Sequence, residues 1–169
     1  ELKEQVHQLQ HFLRPFIKEG DVVAAYMPNT PETVISMLAT SSLGAIFTST
    51  SCDFGVQGVL DRFGQIQPKV LVAALRYTYG GKEFDLRDRI KELQEKLPSV
   101  KQVILIDILS ESPPQAWGAC STWQDIIEQD MTNLSTLTFK RLPFRAPLYI
   151  MFSSGTTGKP KCIVHGVGG

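Results

Sequence analysis

Residues 21–51 read DVVAAYMPNTPETVISMLATSSLGAIFTSTS, and the order of their parts decides the fold. Asp21 to Met27 is a short apolar run, broken by Pro28-Asn29-Thr30-Pro31. Thr30 is placed to cap a helix that starts at Pro31 and runs to about Leu43. Ala45 to Ser51 is a second buried run. Two apolar strands joined by a helix of this length form a βαβ crossover, whose strands lie parallel with the helix over one face.

The same alternation continues in both directions. Upstream, Leu2, Val6, Leu9, Leu13 and Phe16 recur at helical spacing, with Gly20 expected to stop the helix. Downstream, Asp53-Phe54-Gly55 turns into a helix carrying Val59, Leu60, Phe63 and Ile66, with Asp53 expected as its N-cap. Lys69 to Leu75 reads as a strand, Tyr79-Gly80-Gly81 as part of a loop, Asp85 to Leu97 as a helix, and Val100 to Asp107 as a strand. Ser110 to Ser121, with Pro113-Pro114, reads as a surface loop, and Thr122 to Gln129 as a short helix. Met131 to Phe144 shows no regular pattern, and Leu148 to Ser153 and Lys161 to His165 are two further strands. The fold class is α/β, a mainly parallel sheet with flanking helices.

Composition narrows the function. At 169 residues with 43% apolar side chains the chain can bury a core. Seventeen basic and seventeen acidic residues cancel, and no basic run with interleaved aromatics occurs, which argues against a nucleic-acid partner. No apolar run approaches the roughly 18 residues of a membrane span and no signal peptide opens the sequence, so a cytoplasmic protein is expected. Cys52, Cys120 and Cys162 are odd in number and widely spaced, which supports neither a disulfide framework nor a zinc site. The chain opens on Glu1 and stops at Gly169, just past its most informative motif, and so reads as an internal piece of a longer polypeptide.

That motif is Ser153-Ser154-Gly155-Thr156-Thr157-Gly158-Lys159-Pro160-Lys161, directly after the strand that begins at Leu148. Glycines and hydroxyl residues let backbone N–H groups and side chains converge on one anion, and Lys159 and Lys161 add positive charge. A Walker loop is excluded. Ser153 stands where its first glycine belongs, and Pro160 where it needs a metal-binding hydroxyl. Ligands of open α/β sheets bind beyond the carboxyl ends of strands, where this loop also falls.

Ser153 to Lys161 resembles the S-S-G-T-T-G-x-P-K loop of the adenylate-forming enzyme superfamily. The resemblance implies that Ser153, Ser154, Gly155, Thr156, Thr157, Gly158, Lys159 and Lys161 hold the phosphates of ATP, with Mg²⁺ bridging them, while a carboxylate substrate attacks the α-phosphate. Gly44 to Gly55 (GAIFTSTSCDFG), with Gly58 to Phe63 and Gln65 to Lys69, is similar to the acetoacetyl-CoA synthetase branch, which typically reads G-A-I-W-S-S-x-S-P-D-F-G there. Cys52 and Phe47 depart from that pattern. Tyr79-Gly80-Gly81-Lys82 falls where acetyl-CoA synthetases carry an R-G-G-R stretch that touches coenzyme A, so Gly80, Gly81 and Lys82 are coenzyme A candidates, without the arginines.

What the resemblance implies is a ligase that converts acetoacetate, ATP and coenzyme A to acetoacetyl-CoA through an acyl-adenylate. Residues 1–169 would be a partial AMP-binding domain, truncated at both ends and lacking the C-terminal domain. The adenine-binding, ribose-binding and metal-binding residues and the catalytic lysine would lie after Gly169, so no catalytic or metal-binding residue is assigned within the chain and the isolated piece is expected to be inactive. The alternatives are an acetyl- or propionyl-CoA synthetase, or a non-catalytic phosphate-binding or partner-binding module.

Other chemistry-bearing residues have plainer readings. His165 closes a strand without a carboxylate or nucleophile at matching spacing, and reads as a packed or edge-facing histidine. His7 and His11 have metal-ligand spacing but no third ligand. Asp61 and Arg62 read as a solvated or paired helix face, and Cys162 as a small core residue whose alkylation would still block ATP.

Overall fold

The computed structural model describes residues 1–110, 112–130, 132, 136–153 and 158–169. Its elements are α1 (Leu2–Leu13), β1 (Val22–Tyr26), α2 (Pro31–Ser42), β2 (Ile46–Thr50), α3 (Val56–Ile66), β3 (Val70–Tyr79), β4 (Lys82–Asp85), α4 (Arg87–Lys96), β5 (Gln102–Asp107), β6 (Cys120–Thr122), α5 (Trp123–Ile127), β7 (Pro147–Phe152) and β8 (Cys162–Gly166).

The strands form one sheet in the order β6-β5-β3-β1-β2-β7-β8, with β4 paired to β3 outside that path. Every neighbouring pair is parallel except β3–β4 and β7–β8. β1 lies centrally and is buried along its whole length, as is β5, which explains the apolar runs Val22–Tyr26 and, within β5, Val103 to Ile106. The chain moves from β1 to β2 in one direction, then back across β1 to β3 and on to β5. Right-handed crossovers therefore put α2 on one face and α3 and α4 on the other. The packing agrees, since α1 lies on α2 and α5 while α3 lies on α4. This is the expected α/β architecture.

Several boundaries differ from the sequence reading for identifiable reasons. α1 ends at Leu13 because Pro15 supplies no N–H and clashes with the preceding turn. Gly20, with φ +81°, serves the turn into β1 instead of stopping the helix. Thr30 is the N-cap of α2 in an extended conformation but makes no capping bond with its side chain. β3 runs on to Tyr79 and returns as β4 through Gly80 and Gly81, at φ +55° and +74°. Two consecutive positive φ values are what a tight two-residue hairpin turn requires. β6, within the expected loop, pairs Val103 with Cys120 and Leu105 with Thr122, and Thr122 then caps α5 by accepting from the Asp125 N–H at 3.1 Å.

Candidate nucleotide phosphate site

β7 runs parallel to β2, so both deliver their carboxyl ends to the same rim of the sheet as β1 and β3. The candidate phosphate loop follows β7 at that rim, and β8 after it pairs antiparallel with β7. The neck of the loop is closed twice by the same residues. The Ser153 N–H donates to the Lys161 carbonyl at 3.0 Å, and the Lys161 N–H donates to Ser153 Oγ at 3.2 Å. Ser154, Gly155, Thr156 and Thr157 lie outside the described residues.

The returning limb suits an anion. Gly158 has φ +150°, a conformation that L side chains rarely adopt, although a Cβ there would meet nothing within 4 Å. Its requirement for glycine thus comes from the backbone alone. Lys159 and Lys161 are exposed and make no ion pair among the described residues, so both charges are available to a phosphate.

A cleft of about 360 Å³ opens between β2, β7 and α3, and its lining extends as far as Phe152. β2 and β7 pair only through Phe47 with Tyr149 and Thr48 with Ile150, the Thr48 hydroxyl donating to the Ile150 carbonyl at 2.7 Å. Beyond that point the cleft is lined by Ser49, Thr50 and Ser51 on one side and by Met151 and Phe152 on the other. Phe152 is the residue before the loop's neck. Arg62 of α3 also lines the cleft, with its guanidinium 3.9 Å from the centre of the Phe54 ring and Nη1 donating to the Gly58 carbonyl at 2.7 Å. The sequence reading had placed Arg62 on a solvated or paired helix face. Stacking on Phe54 brings a cation to the cleft instead, and the signal was Gly58, where a Cβ would approach the Phe54 ring to 3.2 Å.

The β2–α3 turn is held by a polar cluster. The Tyr26 hydroxyl, at the end of β1, lies 2.6 Å from the Phe54 carbonyl and 3.0 Å from that of Cys52. Arg89 of α4 donates to the Tyr26 oxygen at 3.4 Å, and burial raises the Tyr26 pKa despite that cation. Asp53 does not cap α3, whose N-cap is Gly55 with no side-chain bond. Its carboxylate accepts instead from Ser51 Oγ at 2.9 Å and from the Tyr77 hydroxyl at 3.2 Å. The turn is thereby tied to β3, which leads into the Gly80-Gly81 hairpin. Lys82 follows that tip and is exposed, paired in register with Tyr79, and so can act as a point charge.

Among the described residues Cys162 is exposed at the start of β8 and not enclosed in the core as its sequence reading had it, with Gln65 Oε1 3.7 Å from its sulfur. Cys52 is buried, and desolvation reinforced by the Asp53 charge pushes its thiol up to about 12. Only the thiolate is nucleophilic, so Cys52 should resist iodoacetamide. In the full-length folded protein at pH 8, mass spectrometry is expected to find Cys52 untouched, and its alkylation at a rate equal to that in urea would mean that the thiol is not buried as described. His165 stacks on Tyr149 with ring centres 5.0 Å apart, the packed edge position expected of it. Among the described residues no three His, Cys, Asp or Glu side chains come together as a metal site, and no helix is long and apolar enough to cross a membrane.

The whole chain, residues 1–169, matches the family model described as AMP-binding enzyme. Acetoacetyl-coenzyme A synthetase of Rhizobium meliloti (strain 1021) is 48% identical over 172 residues, a match that takes in all of this chain and 26% of that protein. Acetoacetyl-CoA synthetase of Mus musculus is 42% identical over 176 residues, with the same coverage of 100% and 26%. The solved structure of acetoacetyl-CoA synthetase from Streptomyces lividans superposes with a TM-score of 0.91 at 40% identity, over 99% of this chain and 25% of that one. The chain spans about a quarter of the length of these relatives. From its phosphate-loop sequence, its sheet and the match along its entire length, the chain belongs to the AMP-binding enzyme family.

Proposed function

We propose that the protein carrying this chain is an ATP-dependent acetoacetate–CoA ligase, and that residues 1–169 are part of its adenylation domain. The observation that carries this reading is the similarity, over the whole of this chain at 42–48% identity, to proteins named acetoacetyl-CoA synthetase. In the proposed reaction a carboxylate oxygen of acetoacetate attacks the α-phosphorus of ATP. The bond from that phosphorus to the bridging oxygen breaks, and acetoacetyl-AMP and pyrophosphate form. The thiolate of coenzyme A then attacks the acyl carbon and AMP leaves.

The chain's contribution is electrostatic. Negative charge grows on the departing pyrophosphate, and preorganised donors at the carboxyl end of β7 are suited to receive it. Ser153 and Lys161 hold the neck, and Lys159 and Lys161 supply charge. Ser154, Gly155, Thr156 and Thr157 complete the proposed loop. Mg²⁺ would neutralise phosphate charge in the whole enzyme, and among the described residues no three metal-binding side chains come together to hold it. Gly80, Gly81 and Lys82 are the proposed contact for a coenzyme A phosphate. A Lys82→Ala enzyme whose KM for coenzyme A is unchanged would remove that assignment. A cytosolic location fits a protein that draws on free ATP and coenzyme A.

The substrate is tested by giving the full-length protein acetoacetate, acetate and propionate in turn, with ATP and coenzyme A, and measuring AMP release. Acetoacetate is expected to be preferred by at least about 10-fold in kcat/KM, the scale on which a shaped pocket separates small acyl groups. Preference for acetate or propionate would reassign the substrate, and AMP release with none of the three would favour a different acid altogether.

A further inference from the structure

Gln65, on the last turn of α3, is exposed, yet its amide is fully engaged. Nε2 donates one hydrogen to the Asp61 carbonyl of its own helix at 2.6 Å and the other to the Pro160 carbonyl at 2.8 Å. Oε1 faces the Cys162 thiol at 3.7 Å, within reach of a hydrogen bond to sulfur. The contact with Asp61 is local. The other two cross 95 and 97 residues of sequence to the returning limb of the phosphate loop, on either side of Lys161.

The geometry gives this contact unusual leverage. The pyrrolidine ring fixes φ at Pro160, so ψ is that residue's one soft backbone torsion. Holding the Pro160 carbonyl fixes ψ as well, and with it the directions in which the chain leaves toward Lys159 and Lys161. The anchor is itself rigid, because Val59 and Phe63 bury the opposite side of α3 completely. The bond to Asp61 orients the amide before any ligand arrives.

We infer that Gln65 is a positioning residue of the phosphate loop, which transmits the fixed position of α3 to the limb that carries Lys159 and Lys161. The inference rests on the proposed role of that loop in holding the phosphates of ATP. Gln65 touches no substrate in this account. Its effect falls on a limb that holds bound ATP and also receives the charge of the departing pyrophosphate, and so appears in KM for ATP and to a smaller degree in kcat, but not in KM for the other substrates.

The test uses the full-length protein with Gln65→Met, which keeps the length of the side chain and removes its donors, and Gln65→Glu, which keeps an acceptor for Cys162 but opposes the Pro160 carbonyl with oxygen. Gln57→Met serves as control, since Gln57 lies on the same helix and its amide donates to the Asp61 carboxylate at 2.8 Å. Both Gln65 variants are expected to raise the calorimetric Kd and the KM for ATP by about 5- to 10-fold, the loss of one hydrogen bond of ordinary net strength. KM for acetoacetate and for coenzyme A and the melting temperature should stay at wild-type values, and Gln57→Met should change nothing. Gln65→Met with wild-type Kd and KM for ATP overturns the inference, as does a parallel rise in all three KM values with a lowered melting temperature. Wild-type protein that binds ATP without activating acetoacetate defeats the proposed function, while the Kd comparison still decides the role of Gln65. Wild-type protein that binds no ATP removes both.

Discussion

Lys161→Ala is expected to lower kcat/KM for ATP about 100-fold in the full-length protein. The backbone of Lys161 is pinned at the neck of the loop through both its N–H and its carbonyl, so its side chain departs from a fixed point. Its ammonium group is exposed and has no ion-pair partner among the described residues. A unit charge about 4 Å from a phosphate contributes roughly 4 kcal/mol at an effective dielectric constant near 20. Residual solvent screening reduces that toward about 3 kcal/mol, which corresponds to the hundredfold loss. Lys161→Arg keeps the charge and should retain most of the activity, though its planar fork distributes its donors differently. Steady-state kinetics with ATP varied reads both variants, and a loss within about twofold for Lys161→Ala would take this lysine out of the site.

The second large effect concerns stability. Phe63→Ala is expected to destabilise the fold by about 3–5 kcal/mol, the usual range for deleting a fully buried aromatic ring. Phe63 has 0% exposure on the face of α3 that packs against β1 and α4. A side chain already shielded within these 169 residues stays shielded whatever else packs outside them. The ring leaves a cavity next to sheet strands that are too constrained to close it. Urea unfolding of the full-length protein, followed by a signal from this domain, should show the midpoint moved sharply downward, with Phe63→Leu much milder. Equal midpoints for Phe63→Ala and wild type would mean that α3 is not packed as described. Because α3 also carries Gln65 and Arg62, Phe63→Ala should weaken ATP binding even at urea concentrations where the protein remains folded.

The sequence made the sheet legible where burial on both faces leaves a simple record. Val22–Tyr26 and, within β5, Val103 to Ile106 are covered by helices above and below and therefore read as continuous apolar runs. β4 left no such record. Lys82, Glu83 and Asp85 are exposed in a hairpin with one neighbour, and only the Gly80-Gly81 pair marked the turn. β6 is three residues long and includes Ser121, too short for any periodicity.

The site was legible as chemistry and opaque as geometry. Ser153 to Lys161 has the residue types of an anion-binding loop, and the family resemblance implies that it holds the phosphates of ATP. Contacts made across the fold were invisible. Asp53 has the local sequence of a helix cap, but the Tyr77 hydroxyl, 24 residues further on, competes for its carboxylate. Gln65 carries no local mark of its bond to the Pro160 carbonyl, 95 residues further on.

The central claim is that this chain holds the leaving pyrophosphate while acetoacetate is adenylated. Exchange of labelled pyrophosphate into ATP, measured on the full-length protein without coenzyme A, isolates that step. The account predicts exchange that depends on acetoacetate, needs no coenzyme A and falls about 100-fold in Lys161→Ala. Exchange that is absent with acetoacetate, or that proceeds undiminished in the Lys161→Ala protein, would contradict it.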